Sequence, residues 1–247
     1  MKTNMPMQTP PEISVIVPVF DEAGAVAQLA QEIATAFAET DFEIIFVDDA
    51  SADDTKGRLT CLLADIPSLR VLRHQSNAGQ SRAVRTGVLA ARGSIIVTLD
   101  GDGQNDPADA PALVEALRLA PTRLAMIGGE RIGRQDTLSK RYASRLANAV
   151  RRRVLNDTAT DTGCGLKVFR RDAYLRLPYF DHQHRYLPAL MLREGYDVAF
   201  QPVGHRPRRS GRSKYTNLGR LASAVSDLAG ILWLRARSRD PGPIDEI

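Results

Sequence analysis

An α/β fold with a mostly parallel central sheet, covered by helices on both faces, follows from three observations in the 247-residue chain. Short β-branched apolar runs alternate with amphipathic stretches of helical period. The runs are apolar throughout instead of alternating, as in strands buried on both sides. Acidic residues gather just beyond the ends of those runs, where such sheets place their ligands.

Ile13 to Val19 (ISVIVPV) is the first predicted strand, and Ala25 to Phe37 follows with Val26, Leu29, Ala30, Ile33 and Phe37 at helical spacing. Glu43 to Val47 predicts the second strand. The next helix is expected over Asp53 to Asp65, with Asp53 as N-cap and Leu59, Leu62 and Leu63 inward. Leu69 to Arg73 is a third strand and precedes a helix near Gln80 to Ala91. Ser94 to Leu99 is the fourth strand; it runs into Asp100-Gly-Asp-Gly-Gln104, and a helix opens at Asp106-Pro107 with proline in a tolerated first-turn position. Arg123 to Gly128 predicts another strand, Leu138 to Val154 a basic amphipathic helix, and Gly165 to Arg170 a short strand. Pro202 to Lys214 is expected to be a loop, being rich in Arg, Pro, Gly and Ser. In the tail, Leu218, Leu221, Ala222, Val225, Leu228, Ala229 and Leu232 form a stripe at i, i+3, i+4, i+7 spacing, of the kind that faces a core. The expected organisation is a flexible segment over 1–12, one α/β domain over 13–215, an amphipathic helix over 216–236 and a flexible tail over 237–247.

Composition excludes several classes. With 43% hydrophobic and 25% charged residues the chain is of globular type, not disordered, collagen-like or coiled-coil. Cys61 and Cys164 are too few for a disulfide framework or a four-ligand zinc site, which fits a reducing, cytoplasmic compartment. Met1 to Glu12 has no apolar core of a secretory signal. The longest apolar run, Leu228 to Leu234, is far short of the roughly 20 residues that span a bilayer. The net charge of +4 hides an asymmetry: Asp21 to Thr55 holds ten acidic residues and no Lys or Arg, whereas Arg131 to Arg153 holds eight basic residues and one acid. Such a division suits cations or polar ligands at the front and anions at the rear.

Asp100 and Asp102 flank Gly101 at a strand end, so both carboxylates can turn toward one cation, with Gly101 supplying the freedom. Hard oxygen ligands of this kind suit Mg²⁺ or Mn²⁺, and Gln104 adds a neutral oxygen. Taken alone, the triplet is also what a capped turn contains. Asp48 and Asp49 end the second strand, where desolvation must be offset by a cation or by donors such as ribose hydroxyls and base NH groups. Asp53 and Thr55 read as residues of a helix start. Arg131 after a strand, Arg141 and Arg145 one turn apart on a helix, and Arg208 with Lys214 in a late loop offer cationic groups for an anionic acceptor. His74, His182, His184 and His205 show no metal spacing or partner and read as surface or packing residues. Cys61 reads as core.

The order Pro18-Val-Phe-Asp-Glu22, Val47-Asp-Asp-Ala-Ser51 with Asp53 and Thr55, Asn77-Ala-Gly79 and Asp100-Gly-Asp-Gly-Gln104 resembles the inverting family 2 glycosyltransferases. Arg131, Asp161-Thr-Gly-Cys-Gly165 and Arg208-Arg-Ser-Gly211-Arg-Ser213-Lys214-Tyr215 resemble the dolichyl- or polyprenyl-phosphate hexose (mannose or glucose) synthases, without the membrane-spanning helices of many of them. The resemblance runs from about Ile13 to Leu234. It implies a GT-A fold, a DXD motif, a UDP- or GDP-hexose donor, and Mg²⁺ or Mn²⁺ held by Asp100, Asp102 and Gln104. Pro18, Glu22 and Asp49 match nucleoside-contact positions, and Arg131, Arg208, Lys214 and Arg141 match positions that bind the lipid phosphate. Gln80 departs from the pattern, standing where a Lys is often found.

The expected activity is metal-dependent transfer of a hexose from a nucleotide-diphosphate sugar to a polyprenyl phosphate, with inversion at the anomeric carbon. A phosphate acceptor is already anionic and needs positioning more than a base. A hydroxyl acceptor would need one, and Asp161 is the candidate. The chain is expected to be peripheral on the inner face of the membrane, with the helix from Leu138 to Val154 and the tail helix from Leu218 to Leu234, near whose end Trp233 stands, as candidate docking surfaces. Because the tail stripe reads first as core-facing, the electrostatic weight of meeting an anionic surface falls on Lys140, Arg141, Arg145 and Arg152. A membrane-protein partner or a homo-oligomer is a further expectation. Competing readings are transfer to a glycan hydroxyl and a nucleotide-sugar-binding module without turnover. A nucleotidyltransferase lacks its Gly-rich loop here, and nucleic-acid binding lacks a recognition motif or interleaved aromatics.

Overall fold

The structure is a computed structural model that describes residues 10–132, 161, 163–207 and 217–238, with side chains of the last helix described from residue 226. The expected basic helix over 138–154, with Lys140, Arg141, Arg145 and Arg152, lies outside the described residues, as do Arg208 and Lys214.

Seven strands form one sheet: β1 (Ile13–Val19), β2 (Phe42–Asp48), β3 (Leu69–Arg73), β4 (Ile95–Thr98), β5 (Leu124–Arg131), β6 (Lys167–Arg170) and β7 (Asp197–Val203), in the order β3-β2-β1-β4-β6-β5-β7. All neighbours are parallel except β6, which is antiparallel to β4 and to β5. Period-two alternation divides each buried strand between two cores. Val15 and Val17 of β1, Phe46 of β2 and Val97 of β4 face α1 (Val26–Ala36), α2 (Thr55–Leu62) and α4 (Ala110–Leu119). Ile16, Ile45 and Ile96 face α3 (Gln80–Ala90), α5 (Arg171–Arg176), α6 (Leu187–Arg193) and α7 (Asn217–Arg237). Each such side chain stabilises the fold by about 1.5–3 kcal/mol through burial, which explains why the runs are apolar on both faces.

Several local expectations shift. The helix expected from Asp106 begins as a single 3-10 turn, Pro107–Asp109, in which the Asp106 carboxylate accepts from Ala108 N–H and the Asp106 carbonyl from Asp109 N–H, before α4 proper. Leu63 is 45% exposed, because α2 ends at Leu62 and no longer sets its periodicity. Cys61 is exposed and not core: α2 covers the sheet edge with Leu59 and Leu62, and Cys61 falls on the opposite side. Asp53 accepts from Thr55 N–H, but its other oxygen accepts from Ala23 N–H at 3.1 Å, so it ties the β1–α1 loop to α2 as well as supporting the helix start. The expected loop from Pro202 begins two residues later, since Pro202 and Val203 close β7 on the sheet's edge, where a missing N–H is tolerated. In the tail stripe, Leu228 packs against the second core with Ile231 and Leu234, whereas Ala229 and Leu232 are exposed.

Candidate active site

The carboxyl ends of β1, β2, β4 and β5 open on a cleft of about 990 Å³, at the point where the chain stops adding strands outward from β1 and crosses back to β4. Pro18, Glu22, Asp49, Asp100, Asp102, Gln104 and Arg131 all line it. The antiparallel sense of β6 brings the residues before it, Asp161 and Gly163 to Leu166, to the same end of the sheet.

Two loops are stitched together at the first wall. Asp21 accepts from Ala52 N–H at 2.7 Å, its own N–H donates to Ser51 Oγ at 2.9 Å, and Glu22 N–H donates to Thr55 Oγ1 at 2.9 Å. Asp21 and Ala50 hold positive φ of 51° and 63°, in the left-handed region that short polar or small residues enter when the surroundings impose it. Asp48 is fully buried and is a framework residue: it accepts from Ser51 N–H and from Arg73 Nη1, both at 2.9 Å.

Asp49 turns toward the next loop. Its Oδ1 accepts from Ala78 N–H at 2.9 Å, its Oδ2 accepts from Gly79 N–H at 2.8 Å, and His74 Nδ1 lies 2.6 Å from Oδ1. His74 also meets Thr86 Oγ1 at 2.9 Å. The carboxylate thereby shapes the Asn77-Ala78-Gly79 wall of the cleft. The histidines do have partners, contrary to the sequence reading: His182 joins Asp227, and His184, part of the cleft wall, joins Ser81 Oγ at 2.7 Å. Burial, with Arg185 adding, holds His184 well below its ordinary pKa and therefore neutral.

The carboxylate loop sits on β1. A Cβ on Gly101 would lie 2.5 Å from Val19 Cγ1 and 2.9 Å from the Pro18 carbonyl, so close approach to the first strand requires the glycine. That replaces the conformational freedom expected there, since Gly101 has no positive φ. Asp100 Oδ1 accepts from Gln80 Nε2 at 2.8 Å, and Gln104 N–H donates to Asp102 Oδ1 at 3.1 Å. Behind Asp100 stands Gly165, whose added Cβ would fall 2.3 Å from the carboxyl carbon. Gln104 is braced in turn, its carbonyl accepting from Arg206 N–H at 2.9 Å, and Arg206 pairs with Glu32 and Asp106.

Burial raises the Asp100 pKa, and the nearby Asp102 charge raises it further; Lys167, Arg131 and the Gln80 hydrogen bond offset this only in part. A divalent ion at this pair would relieve both costs. Among the described residues no three His, Cys, Asp or Glu side chains form a closed metal cage. Two carboxylates and an amide oxygen open to a cleft are instead the donor set of an ion that takes its remaining oxygens from water and substrate. The residues present therefore fit Mg²⁺ or Mn²⁺.

At the end of β5, Arg131 grips Asp161 through Nε (2.6 Å) and Nη2 (2.8 Å). Gly163 N–H adds a third donor to Asp161 at 3.2 Å. Beside them Lys167 is buried at the start of β6, donating to the Cys164 carbonyl. Burial lowers its pKa, and the charges of Cys164, Asp100 and Asp161 counter that. Sequence reasoning missed Lys167, although a lysine inside the apolar run Gly165 to Phe169 was the signal available. His74 and His184 carried no comparable sign, because their partners are distant in the chain.

Comparison with known proteins places this arrangement in a class. Solved structures share the fold: mannosyl-3-phosphoglycerate synthase of Rubrobacter xylanophilus superposes with a TM-score of 0.71 at 18% identity, covering 95% of this chain and 79% of that one. Glucosyl-3-phosphoglycerate synthase of Mycobacterium tuberculosis gives 0.67 at 20% identity, covering 94% and 82%. The fold is thus the GT-A fold of nucleotide-sugar glycosyltransferases. The model of the glycosyl transferase family 2 matches residues 14–177, and the chain belongs to that family. Among curated relatives, dodecaprenyl-phosphate galacturonate synthase of Rhizobium johnstonii is 32% identical over 246 residues, 97% of this chain and 72% of its own length. Undecaprenyl-phosphate 4-deoxy-4-formamido-L-arabinose transferase of Sodalis glossinidius is 32% identical over 225 residues, 90% and 68% respectively. No described helix is long and apolar enough to cross a membrane.

Proposed function

We propose that this glycosyltransferase moves a hexose, with inversion at the anomeric carbon, from a UDP- or GDP-sugar to a polyprenyl phosphate at the inner face of a membrane. The observation that carries the reading is the sharing of one cleft by two charge systems of opposite sign, the Asp100–Asp102 carboxylates and the Arg131 and Lys167 cations beside them. The names of the two curated relatives, both acting on polyprenyl phosphates, support the acceptor class; one handles a hexuronate and the other a modified pentose, so the hexose rests on the sequence resemblance.

Asp100, Asp102 and Gln104 would hold the divalent ion, which when bound supplies Lewis-acid stabilisation of the charge that collects on the leaving diphosphate. Pro18, Glu22 and the loop shaped by Asp49 would receive the nucleoside. Arg131 spends Nε and Nη2 on Asp161, leaving its Nη1 edge for an acceptor phosphate, and the neighbouring Lys167 ammonium adds attraction. Arg141, Arg208 and Lys214 are proposed to complete the phosphate grip. Asp161 has both oxygens occupied by Arg131 and Gly163 donors, which suits an orienting carboxylate better than a base aimed at a hydroxyl. That pairing favours the phosphate acceptor over the glycan hydroxyl.

A screen of common UDP- and GDP-sugars with a short polyprenyl phosphate in detergent tests the proposal, following released nucleotide and glycolipid together. Glycolipid formed only with divalent ion is the expected result. Nucleotide release without glycolipid would assign the acceptor elsewhere.

A further inference from the structure

Over its described side chains, from residue 226 on, the outward side of α7 carries less charge than a water-facing helix normally does. Leu228, Ile231 and Leu234 pack its inner side against the second core. The exposed side presents Ser226, Ala229, Gly230, Leu232, Trp233, Ala236 and Arg237. At 3.6 residues per turn these positions form one continuous strip, and Arg237 is the one charged residue among the exposed positions from 226 to 237. Leu232 is 41% and Trp233 61% exposed, with the Arg237 guanidinium 6.0 Å from the indole ring. A solvated helix side is ordinarily charged and polar.

We propose that this strip docks on an anionic bilayer, with Leu232 and Trp233 entering the headgroup boundary and Arg237 meeting lipid phosphates. The proposal rests on the lipid-acceptor reading above and names the surface that reaches the lipid. Charge favours this occupant: the last turn carries Arg235 and Arg237, while Asp227 is turned inward to His182, with Nδ1 and Oδ2 3.0 Å apart. Position favours it too. His182 lies two residues from His184 in the cleft wall, and Trp233 is six residues beyond Asp227, about 9 Å along the helix axis. Arg193 Nε, at the end of α6, also donates to the Leu234 carbonyl at 3.1 Å, tying α7 to the helix that begins at the cleft-lining Leu187.

Trp233 is the chain's sole tryptophan, so its emission reports on this strip directly. The full chain is mixed with vesicles of phosphatidylglycerol and phosphatidylcholine, with and without brominated acyl chains. Emission should move to shorter wavelength and be quenched by the brominated lipid, and high salt should weaken both effects. Leu232→Glu, with Ala236→Glu as a second variant, should weaken partitioning by roughly tenfold or more while circular dichroism stays unchanged. The same variants should keep full turnover on a short polyprenyl phosphate in detergent and lose it on acceptor embedded in vesicles. Vesicle binding with unchanged emission would overturn the proposal in favour of another surface. Emission that shifts with protein concentration and no lipid would assign the strip to a second copy. Emission already short in wavelength and unquenched at every concentration would mean that the chain covers its own strip. Absence of transfer even in detergent would count against the lipid-acceptor reading, while the emission result decides docking by itself.

Discussion

Arg131 and Asp161 hold each other through two parallel hydrogen bonds, Nε to Oδ2 at 2.6 Å and Nη2 to Oδ1 at 2.8 Å, although 30 positions separate them in the chain. The side chains are only 14% and 12% exposed, so the pair is held in a part of the cleft where screening is weak. It fixes the guanidinium plane and so decides which of its donors face an incoming anion.

Arg131→Lys keeps the charge but loses the fork. Acceptor kcat/KM should fall about 100-fold, equivalent to ~2.7 kcal/mol, while donor affinity measured by calorimetry stays within about twofold. Asp161→Asn should move acceptor kinetics the same way, and the double variant should be less than additive. Loss of the acidic limb of the pH–rate profile in Asp161→Asn, with acceptor affinity intact, would instead make Asp161 a general base.

Asp100→Asn should abolish turnover and yet stabilise the protein in chelator. Burial, then the Asp102 charge, holds the Asp100 pKa above its ordinary value. The folded state therefore binds that proton more tightly than the unfolded state, and the ionised group costs stability above the unfolded pKa, increasingly so as pH rises through the folded one. At neutral pH the variant should melt higher by about 3 °C, the effect of ~1 kcal/mol in a domain of this size, and the difference should vanish in acid. Added Mg²⁺ or Mn²⁺ should raise the melting temperature of the native chain alone.

Gly165→Ala tests the support behind the carboxylate. The new methyl would sit 2.3 Å from the Asp100 carboxyl carbon and must displace it or the β6 approach. A stability loss of about 1–3 kcal/mol is expected, together with at least a tenfold rise in the metal concentration needed for half activity. Unchanged metal dependence would separate Asp100 from the ion.

Glu43→Gln probes a network at the far end of the sheet. Glu43 accepts from Ser14 Oγ and Arg92 N–H, both at 2.7 Å, and from Arg70 at 2.5 Å. Burial alone would raise its pKa, but the hydrogen bonds from Arg92, Arg70 and Ser14 prevail and lower it. Its contribution is therefore complete above the unfolded value of 4.5 and lost as pH falls through the lower folded one. The variant should be roughly 2 kcal/mol less stable at neutral pH, converging with the native chain in acid. Denaturant titrations across that range check the sign.

What the amino-acid order determined by itself was whatever depends on neighbours in the chain. The apolar runs of β1, β2 and β4, the helical spacing in α1, and the placement of Asp49, Asp100 and Asp102 just past strand ends are local patterns that the fold keeps. The tertiary structure decided the rest, because it arises from packing of segments far apart in sequence. Only the insertion of antiparallel β6 between β4 and β5 brings Asp161 to Arg131 and Lys167 into the cleft. Only the crossing of loops gives Asp49 the amides of Ala78 and Gly79 and the ring of His74. Gly101 is required by the nearness of Val19, and Cys61 is exposed because α2 meets the sheet through a different side. The tail helix shows the division most plainly: its period announces an apolar stripe, but which residues turn inward depends on where Ile231 finds the core, leaving Leu232 and Trp233 outside.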